Sequence, residues 1–433
     1  MDNIGTLELT WAQGYGGSDA LFINRNTVCH VCSNGIKFID VTTHRESVHP
    51  SPGQGIGVFT VSGSMHLVAF SEMCLNPRIF VFSYPGFTQK AICQGGTKLE
   101  YSALAFSHTH PYLATCSAIP DFTLTLWNWE TGSLLCSKSM WGLPASNVSF
   151  NPTDWHKLCV VGPKQLTVWT IEQADKLYSL VPSKARLPYC DEAETRPKRV
   201  DDVPDRPPTE GGLFKIDPDK SAIAGLVGEE AETFDANFDE NRRKVTPTSM
   251  CWTTTGDVYC GCEGGQLLKY NTETQVVTMM YNPDERKGSV ASRAQSAEAL
   301  SRMAPVPDEE ETKSASKSLS IKEGTLNCLA LHREGLFAGG EDGILRCLDV
   351  AHGVVQVLDS WSSGAAISSL CWSPSYSKLA IGSPKGCIHL YDHSNPGTAD
   401  TLIDTHNGIF IAVAMLAPGT QHCVVRSYGY GCG

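Results

Sequence analysis

The sequence predicts an all-β fold, a β-propeller of seven blades, and two observations support this prediction. The first is a short apolar strand that recurs along the chain. Its equivalent positions are Ile39, Phe82, Trp127, Trp169, Tyr270, Leu348 and Tyr391. The second is their spacing, because the first four positions are separated by 43, 45 and 42 residues and the last two again by 43. A period of about 40–45 residues with four strands per unit is typical of WD-repeat propellers.

Two steps exceed this period, and each excess coincides with a segment whose composition disfavours a sheet. The step from Trp169 to Tyr270 is 101 residues, and that from Tyr270 to Leu348 is 78. Residues 182–245 are rich in Pro and in charges of both signs, whereas residues 282–321 are rich in Ser, Ala, Lys and Glu. We therefore predict two long disordered inserts between blades, which a propeller tolerates because loop closure costs little extra as loops lengthen.

Blade three shows how one unit is built. Residues 101–107 form the inner strand, 112–117 the second, 122–129 the third and 133–139 the outer strand. The third strand, FTLTLWNW, is apolar on both faces. Such a sheet must be covered on both sides, as a blade is by its two neighbours. The same four-part order recurs in blades two, four and six.

The turns indicate that the repeats are degenerate. Asp342-Gly343 supplies the residues that a tight hairpin needs. Asp40, Asp349 and Asp392 occupy the place of the repeat's terminal Asp, whereas Ser83, Asn128 and Thr170 occupy it in other blades.

The blades define three regions of the chain. Residues 1–17 form an N-terminal strand segment, residues 18–407 the propeller, and residues 408–433 a partial eighth blade with a Gly-rich end. Half a blade would leave an open edge. Either the strand TLELTW at 6–11 therefore pairs into the ring, or the chain is a fragment of a longer protein, which we favour.

Composition argues against several classes of partner. The net charge is −12 and the basic residues form no stripe, so we expect no nucleic acid partner. We expect no membrane partner either, because no run approaches 18 apolar residues. The start, MDNIGTLELTWAQ, lacks the pattern of a secretory signal. These features predict a cytoplasmic protein.

Seventeen cysteines are scattered along the strands beside small or apolar residues. Examples are Cys29, Cys116, Cys159, Cys251, Cys260, Cys347 and Cys371. An odd number in a long chain of cytoplasmic type predicts reduced thiols that pack as small apolar side chains.

Several motifs resemble metal, phosphate or glycosylation sites, but each lacks a feature that such a site needs. Cys29 and Cys32 have the spacing of half a zinc site, and Cys260 and Cys262 share one face of a strand, but neither pair has a second pair nearby. The cluster Gly53, Gly55 and Gly57 lacks the GK[ST] ending of a phosphate loop and opens a strand, so we predict a turn between blades. The sequon at Asn147 lies in a predicted inner strand and is attributed to chance.

The sequence shows no Ser/His/Asp or Cys/His grouping. We therefore predict no catalytic, cofactor-binding or metal-binding residue, no cofactor and no enzymatic activity. The acidic run 308–311 reads as a solvated loop, with a phosphorylation-tuned docking segment as the alternative. The first insert also carries spaced apolar residues that suit a segment folding on a partner. They are Phe214, Ile216, Leu226, Val227, Phe234 and Phe238.

Longer strings carry a family resemblance. LNPRIFVFSYPGFTQK, PDFTLTLWNWETGSLLC and NVSFNPTDWHKLCVVGPKQLTVWTIE resemble the cilia- and flagella-associated protein forty-three family of axonemal WD-repeat proteins. The sibling forty-four family is similar in LTLWNWETG and SFNP, whereas LCVVG and TVWTIE favour forty-three. The likeness covers roughly residues 14–180 and 320–420.

The resemblance implies a scaffold of motile cilia and sperm flagella. Its expected partners are the sibling WD-repeat protein, an inner-arm dynein and the doublet microtubule, and its expected location is the axonemal cytoskeleton. The family defines no catalytic or binding residues, so partner-binding residues stay unknown at this stage. The alternative is a generic intracellular WD-repeat scaffold in another complex.

Overall fold

Seven β-sheets follow one another around a ring in a computed structural model of the chain. The structure describes residues 14–17, 19–175, 177–196, 243–283, 321, 324–350, 355–395 and 399–404, and the backbone of 413–414 and 425–426. The strands of each sheet are antiparallel and consecutive, so each sheet is one blade. Neighbouring blades contact one another in turn, and the seventh contacts the first. The predicted seven-bladed β-propeller is confirmed.

The first four blades each have four strands. Blade one comprises β1 (Ala20–Phe22), β2 (Thr27–Cys32), β3 (Gly35–Asp40) and β4 (Glu46–Pro50). Blade two comprises β5 (Phe59–Ser62), β6 (Leu67–Ser71), β7 (Ile79–Ser83) and β8 (Thr88–Cys93). Blade three comprises β9 (Tyr101–Phe106), β10 (Tyr112–Ser117), β11 (Thr123–Asn128) and β12 (Ser133–Ser139). Blade four comprises β13 (Asn147–Phe150), β14 (Lys157–Gly162), β15 (Gln165–Ala174) and β16 (Leu177–Lys184).

The remaining blades follow the first insert. Blade five comprises β18 (Pro247–Trp252), β19 (Val258–Cys262), β20 (Leu267–Tyr270) and β21 (Val277–Tyr281), with β17 (Glu194–Thr195) added at its outer edge. Blade six comprises β22 (Cys328–His332), β23 (Gly335–Gly339), β24 (Ile344–Asp349) and β25 (Gln356–Ser362). Blade seven comprises β26 (Ser369–Trp372), β27 (Lys378–Ser383), β28 (Cys387–Asp392) and β29 (Ala399–Asp404). A final pair is β30 (Val413–Ala414) with β31 (Val425–Arg426).

The seven recurring sequence positions lie one in each of seven apolar cores between blades. Ile39 lies between blades seven and one, and Phe82, Trp127, Trp169, Tyr270, Leu348 and Tyr391 lie in the successive cores around the ring. Each is at most 6% exposed. The period of the sequence therefore reflects one large side chain buried against the preceding blade in every repeat.

The strand register is the same in all seven blades at this position. The large side chain on the third strand faces a Val or Leu on the second strand. The pairs are Val28–Ile39, Val68–Phe82, Leu113–Trp127, Leu158–Trp169, Val258–Tyr270, Leu336–Leu348 and Leu379–Tyr391. Each such cross-strand pair contributes about 0.2–1 kcal/mol beyond what two alanines would.

In blades one, three, five and seven, the residue after the recurring position caps the turn to the outer strand. In blade one, Asp40 Oδ1 accepts hydrogen bonds from the amides of Thr42 (2.9 Å) and Thr43 (2.7 Å). In blade three, Asn128 Oδ1 accepts in the same way from the amides two and three residues later, at 3.0 and 3.2 Å. Asn therefore replaces the terminal Asp without loss of the turn, because either side chain offers the accepting oxygen.

The ring closes where blade seven meets blade one. The amide of Ala20 donates to Ser369 Oγ (3.3 Å), and Ser368 Oγ donates to the carbonyl of Gly17 (3.0 Å). Both sheets are built from consecutive strands, so within the described residues closure depends on packing rather than on a shared strand. The strand TLELTW at 6–11 lies outside the described residues, as does most of the predicted partial eighth blade.

The first insert has structured ends that the sequence analysis did not predict. After Lys184 the chain pairs Tyr189 with Lys244 in an isolated bridge and adds β17 to β21. Leu187 and Val245 are 9% and 3% exposed, in the core between blades four and five. Leu187 and Val245 are isolated apolar residues in a segment rich in Pro and charge, so the sequence shows no strand periodicity there that would predict their burial.

The second insert begins and ends close to the predicted limits. The chain is described to residue 283 and again at Ile321, which is 3% exposed in the core between blades five and six. Residues 197–242 and 284–320, the bulk of the two predicted disordered inserts, lie outside the described residues. Within the described chain, no helix is long and apolar enough to cross a membrane.

Replacement of Trp127 tests the cores between blades. Trp127 is fully buried, and its Nε1 donates to Thr115 Oγ1 at 3.0 Å. We expect Trp127→Ala to lower the free energy of unfolding by about 3–5 kcal/mol, measured by urea unfolding followed by circular dichroism. Leu134→Ala, at a 44% exposed position of the same blade, should change it by less than about 0.5 kcal/mol. Equal losses in both variants would contradict this account of the core.

Candidate interaction surface

The strand order fixes which connections share a face of the ring. In an antiparallel blade, the loop between the second and third strands lies on the same face as the connection to the next blade. We call this the loop face. The turns between first and second and between third and fourth strands lie on the opposite face, the turn face. Both inserts lie in connections between blades, so both attach at the loop face.

Exposed apolar side chains gather on the loop face of blades two and three. Met73 and Leu75 follow β6 and are 68% and 72% exposed. Leu99, in the connection to blade three, is 44% exposed, and Ile119, after β10, is 63% exposed. We call these four residues the apolar sector. Single exposed apolar residues are common, but a group from adjacent loops is a candidate interaction surface.

Hydrogen bonds join the three loops of the apolar sector. The amide of Asn76 donates to the carbonyl of Lys98 at 2.8 Å, and the amide of Ala118 donates to the carbonyl of Glu100 at 3.1 Å. Asp121 Oδ2 accepts from the amide of Lys98 at 2.9 Å. This bond, together with one from Thr97, lowers the pKa of the Asp121 carboxyl. The exposed side chains are therefore carried on a connected backbone.

An ion pair between a buried carboxylate and a partly exposed arginine holds the loop that carries Met73 and Leu75. Glu72, 3% exposed, accepts two hydrogen bonds from the Arg78 guanidinium, both at 2.8 Å, and one from the Arg78 amide at 3.0 Å. These bonds lower the pKa of Glu72 to about 2. A bidentate pair of this kind fixes geometry as well as charge. The loop therefore keeps one shape although its apolar side chains face solvent.

A shallow cleft of about 500 Å³ borders the apolar sector. Its lining includes Pro52, Gly53, Glu72, Cys74, Leu75 and Arg78. A side chain at Gly53 would collide with Glu72, since an added Cβ would lie 2.2 Å from Oε1. The glycines at 53–57, considered as a phosphate loop and rejected, lie in the connection between β4 and β5.

The cysteine pairs considered as metal sites lie inside the blades. Cys29 and Cys32 are both buried on β2, and Cys29 Sγ donates to the carbonyl of Leu21 at 3.4 Å. Cys260 and Cys262 are buried in the core between blades four and five. A hydrogen bond from Cys260 and burial raise the pKa of Cys262 well above its usual value.

The other described cysteines are free thiols as well, and nine cysteines are buried. Burial raises the pKa of Cys93 and of Cys251 to about 12. A thiol that stays protonated at neutral pH is a poor nucleophile and a poor metal ligand. The prediction of reduced core cysteines agrees with this arrangement.

The remaining sequence candidates are placed as follows. Asn147 of the sequon lies at the start of β13. The acidic run 308–311 and the six apolar residues of the first insert lie outside the described residues. The sequence analysis did not predict the apolar sector. The pattern that could have indicated it is the presence of Met, Leu and Ile in loops, where turn residues are usual.

Known structures share the fold. The chain matches the β-propeller domain of Cps50 (Swd1) from Myceliophteria thermophila with a TM-score of 0.50 and 12% sequence identity, over 81% of this chain and 86% of that one. The family model "WD domain, G-beta repeat" matches residues 353–392, which include β25 to β28. At this identity the structural likeness shows the fold alone.

Two curated relatives match nearly the whole chain. Cilia- and flagella-associated protein 43 of Xenopus laevis is 36% identical over 427 residues, 98% of this chain, and the mouse protein of the same name is 32% identical over 96%. The chain spans about a quarter of the length of these relatives, 24% and 23%. The chain is thus a homologue of the proteins named Cilia- and flagella-associated protein 43, and the resemblance predicted from its sequence strings is confirmed.

Proposed function

We propose that this chain is a non-catalytic WD-repeat scaffold of the ciliary or flagellar axoneme. In this role it tethers an inner-arm dynein to the doublet microtubule and supports movement of the cilium or flagellum. The observation that carries the proposal is the 36% identity to Cilia- and flagella-associated protein 43 over 98% of the chain. The sibling WD-repeat protein is a further proposed partner, and the proposed location is the axonemal cytoskeleton.

The chemistry of the blades supports a non-catalytic role. Cys29, Cys159 and Cys260 lie in cores between blades, and burial raises the pKa of Cys29 and Cys159 well above the usual value. His30 is fully buried, and burial lowers its pKa to about 4. Groups that could act as nucleophile or base are thus part of the packing that holds the blades together.

The apolar sector is the proposed contact of this chain with a protein partner. It presents Met73, Leu75, Leu99 and Ile119 on the face where both inserts also attach. The bonded loops beneath these side chains reduce the entropy lost on binding. A rigid apolar surface of this kind suits a partner that offers a complementary apolar side-chain cluster rather than a charged polymer.

Removal of the protein tests the tether. Axonemes from ciliated cells lacking this chain should lose inner-arm dynein and the sibling WD-repeat protein, while outer-arm dynein serves as the internal control in quantitative proteomics. The chain itself should remain with salt-washed axonemes. Normal retention of inner-arm dynein in its absence would contradict the tether, and fractionation with membranes or coats would favour a scaffold in another complex.

Charged substitutions test the apolar sector. We expect the double variant Leu75→Asp, Ile119→Asp to fold normally, since both side chains are exposed, but to bind stripped axonemes about tenfold or more weakly in a sedimentation assay. The matched control is Leu177→Asp, because Leu177 is 78% exposed at a turn on the opposite face. Equal loss of binding in both variants would show that the apolar sector has no special role.

The ion pair under the loop gives a pH test. The pKa of Glu72 is about 2 in the fold and about 4.3 in an unfolded chain, so ionised Glu72 stabilises the fold above the higher value. We expect Glu72→Gln to lower the free energy of unfolding at pH 7 by about 1 kcal/mol in urea unfolding, because Arg78 loses its charged partner and one of its two acceptor oxygens. This difference should shrink as the pH falls from about 4.3 towards 2. A pH-independent difference, or the same profile in the exposed control Glu130→Gln, would contradict this assignment.

A further inference from the structure

A cluster of two histidines and a glutamate lies on the turn face where blades six and seven meet. His332 ends β22, Glu334 lies in the turn to β23, and His393 follows β28. One ring nitrogen of each histidine and one carboxylate oxygen lie within 4.8 Å of one another. His393 Nε2 and Glu334 Oε2 are 2.8 Å apart, and the two imidazole rings are 4.4 Å apart between centroids.

Two ring nitrogens of this cluster are buried and lack a hydrogen-bond partner. They are His332 Nε2 and His393 Nδ1. His332 is only 3% exposed, and its Nδ1 accepts a long hydrogen bond, 3.3 Å, from the amide of Glu334. A buried polar atom without a partner costs about 1–3 kcal/mol, so each such atom calls for an explanation. The hydrogen bond between Glu334 and His393 satisfies one ring nitrogen of His393, and it leaves His393 Nδ1 and His332 Nε2 without a partner.

Aromatic side chains hold the histidines in place. The His332 ring stacks on Trp372 at 4.7 Å and lies edge-on to Phe337 at 6.0 Å. His393 lies edge-on to the same two rings at 5.8 and 6.1 Å. An apolar wall behind a set of polar ligands strengthens their interaction with a charge, because water does not screen it.

We propose that His332, Glu334 and His393 bind a divalent transition-metal ion, with zinc the best match. Two imidazoles and one carboxylate are a donor set that zinc accepts, with ligand bonds of about 2.0–2.2 Å. Such bonds require ligand atoms roughly 3.5 Å apart, so atoms near the 4.8 Å limit must approach by about 1 Å, while His393 Nε2 and Glu334 Oε2, 2.8 Å apart, must separate slightly. Glu334, whose side chain is 54% exposed, has room to make this movement.

The ion would replace the hydrogen bond between His393 Nε2 and Glu334 Oε2, and a neutral His393 ring that binds through Nε2 carries its proton on Nδ1. It joins His332 and Glu334 of blade six to His393 of blade seven, across one of the seven blade interfaces. Three protein ligands leave a fourth position for water or for a side chain of a partner. The site lies on the turn face, away from the apolar sector, and does not depend on the proposed function.

Zinc binding by the full chain tests the site directly. The chain is stripped with a chelator, reduced, and titrated with zinc in competition with a chromophoric chelator. We expect a high-affinity equivalent that weakens by about 100-fold or more in His393→Ala, since loss of even a supporting partner costs 10–100-fold. The matched control His389→Ala removes a half-buried histidine of β28 that contacts Trp361, and should bind as the parent does. Equal zinc affinity in the parent and in His393→Ala would overturn the proposal.

Cobalt separates this site from the many thiols. Co²⁺ bound by imidazole and carboxylate gives visible d–d absorption without the thiolate-to-metal charge-transfer band that cysteine ligands produce. We expect this spectrum from the parent and its loss in Glu334→Gln, whose exposed side chain can change without unfolding the blade. Zinc should also raise the melting temperature of the parent and leave that of His393→Ala unchanged. A thiolate band of the same intensity in parent and variants would assign the ion to cysteines and overturn the proposal.

Discussion

The packing of each blade between two neighbours is the interaction on which the rest of the structure depends. A four-stranded sheet with two apolar faces is not stable alone, and only the closed ring covers both faces of all seven. Each of the seven cores buries one of the recurring large side chains, and for Phe82 or Leu348 this burial is worth about 1.5–3 kcal/mol. Closure between Ala20 and Ser369 completes the set, because without it two apolar sheet faces would meet water.

The strands and the connections of the propeller are under different constraints. The strands must keep the period, since a shift of one residue would turn Val28 and Ile39 to the opposite face of the blade and out of the core between blades seven and one. The connections carry no such constraint, so inserts enter between blades four and five and between five and six. The loops of the apolar sector use the same freedom to expose Met73 and Leu75. The ion pair of the buried Glu72 carboxylate with Arg78 holds the loop that carries Met73 and Leu75.

Structural features that recur in every blade could be predicted from the sequence, whereas contacts that occur once, between residues far apart in the chain, could not. Trp127 and Leu113 could be placed because the same pair of side-chain types recurs every 40–45 residues. Leu187 packs into a core, and Tyr189 is buried, because the chain folds back along residues 243–245, a contact with no periodic signal. His332 and Glu334 form an unremarkable pair in sequence, and His393 lies 59 residues from Glu334. They meet only because blades six and seven are neighbours and their turns share a face.

The same geometry separates the two surfaces. Leu75 and Ile119 lie at one end of the blade strands and His393 at the other, so an event at one face reaches the opposite face only through packed strands. Close-packed cores resist such deformation, because moving one strand disturbs side chains on both neighbouring blades. An ion at His332, Glu334 and His393 would therefore strengthen the joint between two blades without reshaping the apolar sector. A ring of this kind can hold partners on opposite faces at a fixed separation, which is the mechanical requirement of a tether that carries load between a motor and its track.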